Sequence, residues 1–392
     1  MAIAATMAIT VALTGLATVA PPSSAAPTAP PADTTRAVPH VQVSPDSLLA
    51  SLVRTAPPGT VFELAPGIYD GVSLRPKDRQ QFLGRPGTVL DGAHRVGHAF
   101  TGDAVGVRIS NLVIRNYTNP AQEGTVDGGG TRDWEVDHNE ITEAAGVGLL
   151  VGPGMQVHDN RIHHNHQLGI GGRGEDIVVA HNDISYNNYE TEYDPGWEAG
   201  GTKFTETTGL QVIGNDVHDN VGPGLWTDIG NRNTIYDGNF VHDNNYDGPN
   251  SSAGIFHEIS GAAVIRNNLV VHNGTSWHPW LWNAGIQIAA SNDVEVYDNR
   301  VLDNGNGIAV IQQDRYEEWP AGARNIRIHD NEIRTAGRSG AVQDTGENIF
   351  TADRGIVFAA NRFAAPGRFD WENRTGSVPG WAGTVTDLKA SG

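Results

Sequence analysis

Cysteine is absent from the 392 residues, and lysine occurs only at Lys77, Lys203 and Lys389. Without cysteine there is no disulfide scaffold, no Cys-ligated zinc and no thiol catalysis. Charge is also sparse: 18% of residues are charged, and 45 acids against 26 Lys+Arg leave a formal charge of −19. That balance repels phosphate, so no nucleic-acid partner is expected. Few lysines and 48 glycines cannot support the long helices of a coiled coil. Beyond the first 20 residues no apolar run approaches the roughly 18 needed to span a bilayer.

Those first residues, MAIAATMAITVALTGLATVA, are apolar and uncharged, and a Pro-rich stretch of small residues follows. The pattern reads as a signal peptide over 1–26 and a linker over 27–38, although the basic start of such signals is missing. An N-terminal membrane anchor is the alternative. A secreted, extracellular protein is expected, with its folded part at 39–375 and a tail or cap at 376–392. Once the signal is removed, no membrane partner is expected, and the protein should be a monomer.

What the chain has in abundance is a repeat. The phrase Asn–x–(Ile/Val/Phe), usually preceded by Asp, His, Gly or Asn, recurs at Asn139, Asn160, Asn182, Asn215, Asn239, Asn268, Asn299, Asn331 and Asn361. The gaps are 21, 22, 33, 24, 29, 31, 32 and 30 residues, which is a coil of about 22 residues with insertions. A glycine leads the Asn by a nearly fixed offset: Gly201, Gly254 and Gly285 by 14 residues, Gly224 by 15. Short β-branched runs such as VEVYDNRV lie between the turns and read as strands. A lone coil cannot bury its inner face, so coils must stack with parallel strands about 4.8 Å apart. Asn at one turn would then form a ladder. The expected fold is an all-β, right-handed parallel β-helix.

On these motifs the chain resembles the pectin-lyase-like superfamily, specifically secreted bacterial proteins with right-handed parallel β-helix repeats. The resemblance spans roughly residues 40–375. The segment PDSLLASLVRTAPPGTVFELAPGIYDG is similar to the capping helix and first strand of that superfamily. Membership implies a carbohydrate-active class without fixing the reaction, because lyases, hydrolases, epimerases and non-catalytic adhesins share the fold. The epimerase-type run Tyr–Gly–Phe–Asp–Pro–His is absent.

Aligning the coils on Gly201, Gly224, Gly254, Gly285 and Gly307 separates inward from outward positions. One residue on, Thr202, Leu225, Ile255, Ile286 and Ile308 form a core ladder. Two residues on, Lys203, Trp226, Phe256, Gln287 and Ala309 face outward; four on, so do Thr205, Asp228, Glu258, Ala289 and Ile311. Asp228 and Glu258 thus share a slot on adjacent coils, with carboxyls roughly 4–6 Å apart. Such a pair divides into one acid and one carboxylate, the requirement for glycoside cleavage, and a separation of about 5 Å fits a retaining mechanism better than an inverting one. A solvated acidic pair or a cation site on the outside of the helix is the alternative reading of the same residues. Lys203 shares the outward face; it would pair with Asp228, orient a hydroxyl, or serve as the base of a polysaccharide lyase. In the superfamily a Lys or Arg base beside acid-bound calcium is familiar. The acidic balance speaks against a polyuronate substrate.

Two insertions flank this sheet. One carries Glu190, Glu192, Asp194, Trp197 and Glu198; the other carries Trp277, His278, Trp280 and Trp282. The stretch QQDRYEEWPAGAR would rise on the opposite edge. Trp197, Trp226, Phe256, Gln287, Trp277, Trp280 and Trp282 are candidates to bind sugar, indoles stacking on pyranose C–H faces. Glu190, Glu192, Asp194 and Glu198 are weak Ca²⁺ candidates; no cofactor is otherwise required. The many histidines sit at the Asn turns and read as turn architecture, whereas His257 reads as core. The leading function is hydrolysis of a polysaccharide by Asp228 and Glu258, the alternatives being a Lys203-based, Ca²⁺-assisted lyase or a binding protein. Asp228→Asn and Glu258→Gln are expected to abolish activity with thermal stability nearly unchanged.

Overall fold

A computed structural model describes residues 38–245, 252–274, 276–315, 319, 321–344, 348–364 and 367–381. The expected signal peptide, nearly all of the linker and most of the tail lie outside the described residues. Three sheets of 13, 12 and 11 strands wind through the remainder, parallel throughout except for the last pair of the third, each coil giving one short strand to each sheet. Inside, identical faces stack. Ile109, Val136, Val157, Val179, Val212 and Tyr236 succeed one another in register along the first sheet and are fully buried. Ile141, Ile162, Ile184, Val217 and Val241 do the same along the second.

The turn phrase has a physical cause. Every residue directly before a ladder asparagine, from His138 and Asp159 to Asp330 and Ala360, has a positive φ. Asp, Asn, His and Gly tolerate that left-handed conformation better than other residues, which explains the preceding position. The asparagine then points inward. Asn239 Oδ1 accepts both the backbone N–H and the side-chain amide of Asn215, at 3.0 Å each, while its own Nδ2 donates to Val212 O and to Asn268. A second ladder runs five residues later through Asn165, Asn187, Asn220, Asn244, Asn273 and Asn304, by the same bonds. Histidines fill its positive-φ positions at His164 and His272. Removing one rung orphans several buried groups, each costing about 1–3 kcal/mol. Asn239→Ala should therefore lower stability on the order of 3 kcal/mol, measurable by urea unfolding.

Both ends are closed, as a solenoid requires. Strand His40–Val43 pairs with Val61–Leu64, and between them helix Leu49–Thr55 buries Leu49 and Val53 on the open first coil. At the other end Arg368–Trp371 and Arg374–Ser377 form an antiparallel hairpin, over which Trp381 donates to Phe369 O at 3.1 Å. Among the described residues no helix is long and apolar enough to cross a membrane.

Candidate active site

The outward face of the 11-stranded sheet follows the glycine register. Leu225, Trp226 and Thr227 lie opposite Ile255, Phe256 and His257, and these lie opposite Ile286, Gln287 and Ile288. Asp228 directly follows the strand Leu225–Thr227 and Glu258 ends the strand Ile255–Glu258, so the two carboxylates come one residue after the paired Thr227 and His257, in one slot on adjacent coils. Each is followed by a β-branched residue with positive φ, Ile229 at 55° and Ile259 at 46°. Such residues resist that conformation, at about 1–3 kcal/mol each, and strain of this kind collects at functional sites.

The two carboxylates have different surroundings. Lys203 Nζ lies 3.0 Å from Asp228 Oδ2, 3.1 Å from Glu198 Oε1 and 2.5 Å from Trp197 O. It also sits 4.0 Å over the Trp226 ring. Its three donors are therefore taken, and the side chain is only 4% exposed. Glu258, by contrast, is pushed up to about 8, first by burial and then by the charge of Asp228; Arg315 and Lys203 offset only part of this. The Trp226 indole N–H forms no hydrogen bond, although it lies near enough to Glu258 to favour the ionised form. Asp228 Oδ1 and Gln287 Oε1 are likewise buried and unpartnered. Unpaired buried polar atoms are uncommon, and three of them here mark a place where polar partners are expected.

Several expectations change. Outward does not mean exposed: Trp226, Phe256 and Gln287 are 2%, 3% and 1% exposed. The two rings stack at 5.4 Å, and Trp282 packs edge-on against Phe256 at 6.3 Å. With Ala289, Ala309, Ile311 and Val342 they make a second apolar cluster outside the coil. These rings cannot offer a free face to sugar, because protein already covers them. Trp280 packs half-buried against the same cluster, Trp277 lies under the Arg338 guanidinium at 4.6 Å, and Trp197 reaches the site through its carbonyl. The four acidic loop residues do not converge. Glu198 pairs with Lys203, Asp194 accepts the Gly196 N–H, and Glu190 and Glu192 approach His166. His166, Glu190 and Glu192 have donor atoms within 4.8 Å of one another, as do His98, Glu123 and Asp127; both sets are of metal-ligand type. His257 is core: it bonds Thr227 Oγ1 and Gly261 O, and burial lowers it to about 4. Because Asp228 is ion-paired and Glu258 buried, unchanged stability is no longer expected when either is replaced.

Arg315, the cation facing Glu258, was not singled out by the sequence; only the loop carrying it was. Beside Lys203 a cavity of about 340 Å³ opens toward the N-terminal coils, lined by Asp127, Leu150, Gly171, Arg173, Glu198 and Thr205 among others. Extending the glycine alignment one coil back to Gly169 would have placed Gly171 and Arg173 on this face.

A family profile described as "Right handed beta helix region" matches residues 125–280. The fold is a right-handed parallel β-helix. Among solved structures, one described as "The complex structure of XylC with xylose" matches the β-helix with TM-score 0.62 and 11% identity, over 84% of each chain. The mannuronan C-5 epimerase AlgE6 A-module of Azotobacter vinelandii matches with TM-score 0.53 and 16% identity, over 82% of this chain and 91% of that one. A search of curated proteins finds no match.

Proposed function

We propose that the β-helix is an exported, monomeric carbohydrate-active enzyme, a retaining glycoside hydrolase with Asp228 as nucleophile and Glu258 as acid and base. One observation carries this reading: two carboxyls in one slot of adjacent coils have different surroundings, one paired with a buried lysine and the other buried without such a partner. Asp228 Oδ2 lies 3.0 Å from Lys203 Nζ. Glu258 is raised to about 8 and so carries a proton at neutral pH. Adjacent strands lie about 4.8 Å apart, which suits the separation of about 5–5.5 Å that covalent retention needs.

The chemistry is then a double displacement. Asp228 attacks the anomeric carbon while Glu258 gives its proton to the departing glycosidic oxygen, leaving a glycosyl ester on Asp228. Glu258, now a carboxylate, takes a proton from water, which opens the ester and restores both groups. Trp226 Nε1, Asp228 Oδ1 and Gln287 Oε1 are the buried, unpaired polar atoms beside the two carboxyls. Lys203 acts as a positioning residue rather than a base, since its donors are engaged by three acceptors and it sits over an indole face. The neighbours whose names concern xylose and mannuronan agree with a saccharide substrate.

The full chain incubated with neutral and uronate polysaccharides tests this. The expected result is new reducing ends, released with retained anomeric configuration by NMR, and insensitive to EDTA. Ultraviolet absorbance of an unsaturated uronate, abolished by EDTA, would overturn it in favour of elimination from Lys203. Binding without cleavage would leave a lectin-like protein.

A further inference from the structure

The cavity next to Lys203 is made by a missing side chain. The outward ladder reads Asp127, Leu150, Gly171, Lys203 and Trp226 in register across successive coils. Its neighbour Gly172 is a backbone requirement: φ is 135°, and a Cβ there would meet Val151 O at 2.3 Å. Gly171 is different. Its φ lies outside the left-handed range, and a Cβ would find only ordinary contacts, with Lys203 O at 3.4 Å, Leu168 at 3.5 Å and Leu150 at 3.6 Å. Neither backbone nor packing calls for glycine here, yet glycine weakens a strand interior and often marks close approach of a ligand.

We propose that Gly171 makes the glycone subsite of the reaction above, which takes a neutral sugar ring. The inference rests on that reading for its orientation. Asp228 is on the coil nearer the cavity and Glu258 on the coil beyond. The ring attacked by Asp228 therefore points toward Gly171, and the leaving group that Glu258 protonates points toward Arg315. The volume of about 340 Å³ is at the small end for ligand pockets and fits a short glycosyl unit. Leu150, Val151 and Leu168 supply an apolar floor for the C–H face. Asp127, Glu198 and Gln122 face the hydroxyls. Glu198 is committed to Lys203. Of the cationic groups on the lining, Lys203 is buried against two acids, while Arg173 is exposed and pairs at the surface with Glu206 at 3.2 Å. No buried cation among the lining residues is left unpaired to await a uronate carboxylate.

The test is direct binding, so that it does not depend on catalysis. Xylotriose, cellotriose, trimannuronate and trigalacturonate are titrated by calorimetry into the wild type, Gly171→Leu and Gly171→Ala, with the thermal midpoint of each recorded. A neutral trisaccharide is expected to bind the wild type, to lose affinity by about 10-fold or more in Gly171→Leu, and to lose far less in Gly171→Ala. Folding of the leucine variant is checked by its midpoint; should it unfold, graded loss in Gly171→Ala and Gly171→Ser replaces it. Unchanged affinity in the folded leucine variant overturns the subsite while leaving the hydrolase reading intact. Preference for a uronate trimer, or no binding of any trimer to the wild type, also overturns it. Neutral binding that Gly171→Leu abolishes, in a protein that cleaves nothing, supports the subsite and refutes the hydrolase.

Discussion

Glu258→Gln should lower turnover by about 10²–10⁴-fold and at the same time make the protein more resistant to heat above pH 8. The two effects have one origin. Burial, reinforced by the charge of Asp228, holds the Glu258 proton to about pH 8, against 4.5 for an ordinary glutamate. Between those values the folded chain binds a proton that the unfolded chain has released, so stability falls as pH rises through that window. The stabilisation is complete below about 4.5 and gone above about 8. At pH 9 the wild type therefore carries a buried second charge beside Asp228, whereas glutamine carries none. Thermal midpoints measured at pH 5 and pH 9 should show near-identity at the first and a gain of several degrees for the variant at the second. Wild-type activity should fall over the same basic limb as the acid loses its proton. A variant destabilised equally at both pH values would mark Glu258 as a structural residue and remove the acid from the mechanism.

The coil was legible because its turn is a local event repeated. A left-handed residue must precede each inward asparagine, and few residue types tolerate that conformation, so His138, Asp159, Gly214 and Asp298 appear as a phrase. The second ladder at Asn165, Asn187, Asn220, Asn244, Asn273 and Asn304 was readable too, as an asparagine five residues after each of Asn160, Asn182, Asn215, Asn239, Asn268 and Asn299. Register was legible for a related reason. Each stacking glycine leaves no room for a side chain, a Cβ on Gly224 or Gly254 meeting asparagine amides and the next coil's carbonyl within 3 Å. What the sequence could not show is which outward residues are covered. Alternation sends Trp226 and Phe256 outside the coil, but it says nothing of Trp282 or of the insertions that pack there. An indole in a polar loop therefore read as a sugar platform where it is part of a second core. Nor does strand pattern predict that Ile229 and Ile259 take a left-handed turn, since their type argues against it.

Lys203→Met is the substitution with the largest expected structural cost. The ammonium lies within 3.1 Å of both Asp228 and Glu198, and removing it leaves two carboxylates facing one buried point. Loss of one partner from a buried pair costs about 3–5 kcal/mol, because the remaining charge is left without compensation. The deficit against the wild type is measured by paired urea titrations. Catalysis separates the two possible uses of this residue. If Lys203 positions Asp228 as the nucleophile, the variant fails because Asp228 is displaced. Arginine, longer and always charged, should then restore partial turnover, with KM changed less than kcat. If Lys203 removes a proton from the substrate, arginine holds its proton far more tightly and should restore nothing at neutral pH. The geometry favours the first outcome, since a base needs a free lone pair and every donor of Lys203 already points at an acceptor.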